Sequence, residues 1–364
     1  MVLAIFGILL FVFVSVACRL KESNITDEVK ENIRKRIKNG ETVGMVVGFI
    51  NPSGRRDYFC VGTLTMGGKE QVDENTIYEI GSISKAFTGI VLTDMVLNNE
   101  LKLDDPAEAY LPETVNVPSR NGKKITLEHL ATHTSAIARM PSNFHPADLR
   151  NPYADYSVED MYTFISGYTL RRDIGEKYEY SNLGMGLLGH ILGLKAGMNY
   201  EQLIRERICE VLGMESTVIS LTEELKERLA KGHNKAGEVP NWDIPTLAGA
   251  GAIRSTAHDM LTFLAANMGI KPSKLSAAMN MSHKAYVDAS ENLKVGLGWH
   301  ISDNGKTQII WHNGGTGGYR TFCGFIKDKK IGVVVLSNMN ISTDDIGFHL
   351  LDSSYELKNI EEPS

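Results

Sequence analysis

The chain has 364 residues, 43% of them hydrophobic and 23% charged, an ordinary globular balance with ample core. Its formal net charge of −6 excludes the basic footprint of a nucleic-acid binder. Four cysteines are too few for a disulfide framework.

Residues 1–18 carry no charge, and the apolar run from Val2 to Ala17 ends in Ser-Val-Ala-Cys18. This reads as a signal peptide, and hence as export to an oxidising compartment. The Ala17-Cys18 junction resembles a bacterial lipoprotein processing site, with Ser15 where a leucine is usual. Arg19 and Lys21 follow the run and no basic residue precedes it, so a retained helix would leave the body of the chain in the cytoplasm. The run is only just long enough to span a bilayer, and export is the expectation adopted. Residues 19–364 then form the functional domain.

Thr26 to Lys38 is an amphipathic helix by the spacing of Val29, Ile33 and Ile37, with Gly40 as its stop. Val43 to Ile50, the turn Asn51-Pro-Ser-Gly54 and Tyr58 to Val61 predict a β-hairpin. A helix follows from near Ser82 to Asn98-Asn99. The middle of the chain is mostly helical. Thr126–Thr132, Ser157–Ser166, Leu183–Ala196, Tyr200–Leu212 and Thr256–Met268 are expected helices. Capping boxes are expected at Ser157/Asp160 and Thr256/Asp259, and Leu203, Ile204, Ile208 and Val211 as a buried face. Strands return at Val295–Ile301, Gln308–His312, Tyr319–Ile326 and Ile331–Leu336, before a closing helix Thr343–Tyr355. Strands at both ends therefore predict one sheet, formed from about residues 26–80 and 290–364, with a helical lobe inserted at about 81–289.

Ser82 and Lys85 lie three residues apart in Ile80-Gly-Ser-Ile-Ser-Lys-Ala-Phe-Thr, one helical turn on one face. A serine hydroxyl needs a neighbour to take its proton, and a lysine can do so when burial lowers its pKa. The bare spacing is weak evidence. Its position, after a glycine and before the buried run Phe87, Ile90, Val91 and Val96, makes it stronger. Tyr180-Ser-Asn182 offers a phenol to relay a proton and an amide to bind a carbonyl. Read alone, it is a loop tyrosine and a helix cap. His312-Asn-Gly314-Gly315 ends a strand and could offer a backbone N–H to an oxyanion; read alone, it is a tight turn.

Other patterns have plainer readings. Gly184-Met-Gly-Leu-Leu-Gly189 matches a dinucleotide fingerprint but lacks a preceding strand, so close helix packing explains it better. His129 and His133 have metal-ligand spacing without a third ligand. Cys60, Cys209 and Cys323 are most simply buried thiols.

The order Ser82-x-x-Lys85, Tyr180-x-Asn182, His312-x-Gly314 resembles that of the penicillin-recognising serine hydrolases. These comprise class C β-lactamases, D-alanyl-D-alanine peptidases and related esterases. Further landmarks are Leu103-Asp-Asp-Pro106, Leu130-Ala-Thr-His-Thr-Ser135, Gly249 to Thr256, Gly296-Leu-Gly-Trp299 and Gly317-Gly-Tyr-Arg320. The resemblance implies an α/β fold: an antiparallel sheet flanked by helices, an all-helical lobe, and the site between them. It implies Ser82 as the acylated nucleophile, with Lys85 and Tyr180 sharing general-base and general-acid work. Asn182 would hold the substrate's side-chain amide, and the N–H groups of Ser82 and Gly315 would form the oxyanion hole. His312, beside Gly314, would face the substrate carboxylate or Tyr180. The implied substrate is a small-molecule or peptidoglycan-like acyl compound, with no metal or organic cofactor and no nucleic-acid partner. The implied location is the periplasm, the exterior or the envelope, with membrane attachment through the N-terminus as one route. The expected activity is β-lactam hydrolysis; D-alanyl-D-alanine carboxypeptidase and carboxylesterase activities are the alternatives. Three departures stand out. His312-Asn-Gly replaces Lys-Thr-Gly, Ala136 stands where glycine usually follows His-Thr-Ser, and Ile174 stands where proline usually precedes Gly-Glu.

Overall fold

The computed structural model describes residues 23–361. The expected signal segment 1–18, with Cys18, lies outside the described residues. The strands are β1 (Gly44–Ile50), β2 (Arg56–Gly62), β3 (Ile77–Glu79), β4 (Gly232–Asn234), β5 (Gly237–Val239), β6 (Arg254–Thr256), β7 (Val287–Ser290), β8 (Leu293–Val295), β9 (His300–Asp303), β10 (Gln308–Gly315), β11 (Arg320–Ile326) and β12 (Ile331–Ser337). Eight of them make one antiparallel sheet in the order β2-β1-β12-β11-β10-β9-β8-β7. The two ends of the chain meet in it, with β1 on β12 in the register Met45↔Ser337 to Ile50↔Gly332. The α/β expectation, with an antiparallel sheet flanked by helices, is what the chain adopts.

Every residue of β1, Gly-Met-Val-Val-Gly-Phe-Ile, is buried, because helices cover both faces of the sheet. On one face, Met45, Val47, Val333 and Val335 pack with Val29 and Ile33 of the helix Asp27–Lys38 and Ile346 of the helix Asp344–Leu351. On the other, Val46, Val334 and Leu336 join the large core with the helices Ser84–Leu97 and Ala257–Asn267. Alternate side chains of each strand point to opposite faces, so one run of sequence feeds both cores. Thr26 starts the first helix by accepting the Val29 N–H at 3.3 Å, with Asp27 and Glu28 in the first turn and Lys35, Arg36 and Lys38 in the last.

Ser84–Leu97 lies at the centre of the large core, its residues from Ser84 to Thr93 all buried. One contact explains why a glycine is needed in this helix. A Cβ on Gly89 would stand 1.9 Å from the Leu297 carbonyl oxygen. Leu297 belongs to Gly296-Leu-Gly-Trp299, which strand composition places inside a strand Val295–Ile301. Instead the chain leaves β8 at Val295 and enters β9 at His300, with Gly298 at φ +76° between them. The break lets this segment press its backbone against the helix, where a Cβ on Gly298 would lie 2.1 Å from the Lys85 carbonyl oxygen.

Other expectations need correction. Tyr200–Leu212 is not one α-helix, because Arg205–Cys209 forms a π-turn between Tyr200–Ile204 and Glu210–Leu212. Its wider turn rotates the last residues, so Leu212 is buried and Val211 only partly so. The box at Ser157/Asp160 forms in both directions. At Thr256 only half forms: Thr256 accepts from Asp259 N–H, while the Asp259 carboxylate instead accepts from Ser216 N–H and Thr217 Oγ1, both at 2.9 Å. The middle of the chain also holds two small strand pairs, β3 with β6 and β4 with β5. Gly189, from the fingerprint-like run, meets Gly249, and a Cβ on it would stand only 2.8 Å from the Gly249 Cα, so close helix packing accounts for it. Cys209 and Cys323 are buried and Cys60 is half-buried; all three are free thiols. Burial pushes Cys60 and Cys209 each up to about 12, so they are unreactive at neutral pH.

Candidate active site

Ser82 sits in a single 3-10 turn, Gly81–Ile83, that runs directly into the helix Ser84–Leu97. As the second residue of that turn, its N–H has no carbonyl one turn behind it and is free for a ligand. Ser84 locks the turn, its Oγ donating to the Gly81 carbonyl at 2.8 Å and accepting from Ile253 N–H at 3.1 Å. Gly81 has φ +51°, and a Cβ there would stand 2.7 Å from Gly315 N. The Ser82 turn and the end of β10 therefore come together only because position 81 lacks a side chain.

Lys85 is fully buried. Its Nζ lies 3.0 Å from Ser82 Oγ and 2.6 Å from the Ala250 carbonyl oxygen. No carboxylate forms an ion pair with it among the described residues. Burial, reinforced by the Arg139 charge, holds its pKa well below the usual lysine value. The neutral amine is the form this pocket favours, and a neutral amine beside a hydroxyl is a base.

Tyr180 lies on the other side of Lys85, whose Nζ is 4.8 Å from the phenol ring centroid. The Arg139 guanidinium carbon is also 4.8 Å from it. Burial raises the Tyr180 pKa, against a hydrogen bond with Ser82 that lowers it, so the phenol holds its proton at neutral pH. Amine and phenol thus have distinct resting states.

Three imidazoles complete the floor. His312 and His300 stack at 4.7 Å between ring centroids, and His133 lies 4.5 Å from the Tyr180 ring. His312 Nδ1 must carry the proton, since its partner 2.7 Å away is the Asn313 carbonyl oxygen; Nε2 is left as an acceptor. His133 has the opposite tautomer, because its Nδ1 accepts from Ser181 N–H at 3.1 Å. Burial, then the neighbouring positive groups, depress all three, His300 to about 4. His312 is therefore neutral and does not offer a substrate carboxylate the charge that a lysine would.

The direction of the Gly315 N–H follows from sheet alternation. Thr316 N–H bonds the Tyr319 carbonyl at 3.2 Å, closing the β10–β11 hairpin so that Gly315 faces Arg320. Pairing alternates from there, so the Gly315 N–H points away from β11, toward β9. But β9 pairs only with Gln308 to Trp311. The Gly315 N–H thus emerges at an open edge beside the Ser82 turn. Gly314, on the opposite face, would put a Cβ 1.9 Å from the Ile80 carbonyl oxygen, which explains the glycine there.

Asn182 begins the helix Asn182–Ala196, after Ser181, whose Oγ caps it by accepting Gly184 N–H at 2.8 Å. The Asn182 Oδ1 is buried and has no hydrogen-bond partner. An orphaned buried acceptor at a cleft is a ready receptor for a substrate N–H. All seven sequence-expected positions thus lie together, five of them lining one cleft. Ser82, Tyr180, Asn182, Gly314, Gly315 and their neighbours line a cavity of about 630 Å³, and His312 lies beneath it.

Several contributors were not foreseen. Tyr153 and Trp242, rings 5.3 Å apart, form an aromatic wall of the cleft. Glu79 holds that wall, accepting from Trp242 N–H and Asn241 Nδ2, both at 2.9 Å, and pairing with Arg254 at 3.3 Å. Arg139 and Arg320 also line the cleft. Arg320 had a legible signal, since the hairpin turn Thr316–Tyr319 puts it opposite Gly315. The metal-like pair does not form: the helix ends at Ala131, His129 completes a capping box with Thr126, and His133 faces Ser181. Among the described residues no cluster of three or more His, Cys, Asp or Glu could hold a metal ion.

A family model for β-lactamase matches residues 29–349. The chain belongs to the β-lactamase family. It is 26% identical to a β-lactamase of Pseudomonas fluorescens over 87% of this chain and 94% of that one. It is 28% identical to the D-alanyl-D-alanine-carboxypeptidase/endopeptidase AmpH of Escherichia coli K12, over 86% and 83%. In fold it matches a class C β-lactamase with a TM-score of 0.81 and 24% identity, covering 94% of this chain and 99% of that one. It also matches a β-lactamase/D-alanine carboxypeptidase from Pseudomonas syringae, with a TM-score of 0.79 and 21% identity, over 90% and 98%.

Proposed function

We propose that this β-lactamase-family chain is a serine hydrolase that forms an acyl-enzyme on Ser82, with the β-lactam amide as its principal substrate. The observation that carries the reading is the buried, uncompensated Lys85 amine, 3.0 Å from Ser82 Oγ. Lys85 takes the proton as Oγ attacks the carbonyl carbon. The oxyanion rests in the N–H groups of Ser82 and Gly315. As the C–N bond breaks, Tyr180 gives its proton to the leaving nitrogen, and the Lys85 ammonium restores the phenol. Water then cleaves the acyl ester by the reverse steps, releasing the acid and Ser82. Asn182 Oδ1 accepts the N–H of the substrate's side chain, which lies against Tyr153 and Trp242.

A specific observation supports a second reading, D-alanyl-D-alanine carboxypeptidase activity. A neutral His312 gives less support to the β-lactamase assignment than a lysine would, and a relative carries that peptidase name. Intact mass after mixing with excess benzylpenicillin separates the two. Bulk loss of penicillin with unmodified protein is expected, abolished in Ser82→Ala. A persistent adduct on Ser82 would favour the peptidase. Intact penicillin and unmodified protein would discard both readings and leave an esterase.

We also infer export to the envelope or beyond, from the uncharged segment 1–18, with Cys18 as a candidate point of lipid attachment. No helix among the described residues is long and apolar enough to cross a membrane.

A further inference from the structure

We propose that Arg320 is the specificity-determining cation of this site, receiving a carboxylate on the leaving-group side of the substrate in place of His312. The inference rests on the acyl-enzyme reading above. The motif position expected to face that carboxylate cannot do the task. His312 is 1% exposed, stacked on a second imidazole, and donates its one N–H to the Asn313 carbonyl. A charge placed there would sit among buried rings with no counterion, next to Lys85.

The positive charge enters from the neighbouring strand instead. Arg320 is the first residue of β11 and pairs directly with Gly315. Side chains of directly paired residues lie on the same face, so the guanidinium folds across the bare Gly315. A Cβ on Gly315 would stand 2.1 Å from Arg320 Nη1. Position 315 is therefore a glycine because its missing methyl leaves room for the guanidinium, while its N–H stays free to face the oxyanion.

Arg320 is also under-used. Its hydrogen bonds are to the Thr316 and Tyr319 carbonyls at 3.5 and 3.3 Å, long for N–H···O bonds and both through Nη1. Among the described residues it makes no ion pair within 4.0 Å. Asp344, the acidic group that acts on it electrostatically, is bonded to Asn313 Nδ2 at 2.7 Å. A guanidinium offers a planar fork of donors matched to a carboxylate, and here that fork lines the same cleft as Ser82, Tyr180 and Gly315. Arg139, the cleft's other arginine, lies over the Tyr180 ring, on the Asn182 side.

The test uses two phenylacetyl esters that differ in one group of the leaving phenol, 3-hydroxybenzoate and 3-hydroxybenzamide. The readout is the ratio of their kcat/KM values, which cancels any loss of folded protein. Wild type is expected to favour the benzoate by about tenfold or more, through KM, with the preference shrinking as salt rises. In Arg320→Gln the ratio should fall to near one, and in Arg320→Lys only part way. Gly315→Ala should also lower it, because the new methyl displaces the guanidinium without removing its charge. A wild-type ratio near one, or a ratio unmoved in Arg320→Gln, overturns the proposal. So does a ratio lost in Arg139→Gln or His312→Gln but kept in Arg320→Gln. If wild type cleaves neither ester, the acyl-enzyme reading itself falls. If it cleaves both equally, only the role of Arg320 falls.

Discussion

The floor and the rim of the cleft treat charge in opposite ways. On the floor, Lys85 and His312 are fully buried and His133 nearly so, and burial pushes every basic group there toward its neutral form. On the rim, the guanidinium groups of Arg139 and Arg320 line the open cleft, and Asn182 keeps an unpaired oxygen. In the proposed mechanism, the floor disfavours standing charge so that a proton can move from Ser82 to Lys85. The rim holds unspent hydrogen-bonding capacity so that a substrate can complete it. Floor groups should therefore govern turnover and pH dependence, and rim groups should govern which substrate is taken.

The sharpest way to break this contrast is Lys85→Met. Activity should fall by about 10³-fold or more with the loss of the base. Stability should move the other way. The folded lysine has a pKa well below the ordinary 10.5, so between those two values the unfolded chain binds a proton that the folded chain does not. Burying the neutral amine therefore costs stability at neutral pH, and that cost fades as pH rises toward 10.5. The variant should melt higher than wild type at pH 7, by on the order of 1 kcal/mol, with the gap narrowing toward pH 10. Thermal melts at both pH values check this. A variant less stable at pH 7 would mean that the lysine is held charged, and the floor would not be the neutral site described. The same shift fixes the pH profile: activity lost as pH falls through the lowered Lys85 value, and lost again as pH rises through the raised Tyr180 value.

Asn182→Ala tests the rim with a smaller effect. Its Oδ1 lacks a partner until substrate arrives. For substrates carrying a side-chain amide, kcat/KM should drop roughly tenfold, about 1.4 kcal/mol. Substrates lacking that amide should show a smaller change. An equal loss on both classes would make Asn182 a structural residue of its helix.

The residues of the short motifs were more legible in the sequence than the rest of the cleft, for a physical reason. Ser82 and Lys85 are joined by one helical turn, and Tyr180 and Asn182 by one step at a helix start, so local spacing carries their geometry. Arg320 and Gly315 meet across a hairpin, and Tyr153, Trp242 and Glu79 meet only through tertiary packing. The breaks were also hard to read: Val295 to Ile301 has strand composition, and only the packing of Gly296-Leu-Gly-Trp299 against Gly89 shows why the strand is interrupted. The π-turn at Arg205–Cys209 has no pattern distinct from an α-helix.

Ala136 gives the smallest and most exacting test, because two magnitudes nearly cancel. It stands where glycine is usual after His-Thr-Ser, and its φ is +63°, so the glycine preference has a backbone cause. A non-glycine residue in this region carries roughly 1–2 kcal/mol of strain. Ala136 is only 5% exposed, however, and its methyl belongs to the large core. Removing that methyl costs about 0.8 kcal/mol of burial, and glycine adds roughly 0.5–1 kcal/mol of unfolded-state entropy. Ala136→Gly should therefore change stability by less than about 1 kcal/mol and leave turnover intact. Ala136→Val gains no such offset, since a branched Cβ at positive φ worsens the strain. It should cost roughly 2 kcal/mol or more, read as a lower denaturation midpoint at an unchanged m-value. If Ala136→Gly instead proved strongly stabilising, the strain would outweigh the burial, and the alanine would be a defect carried by the fold.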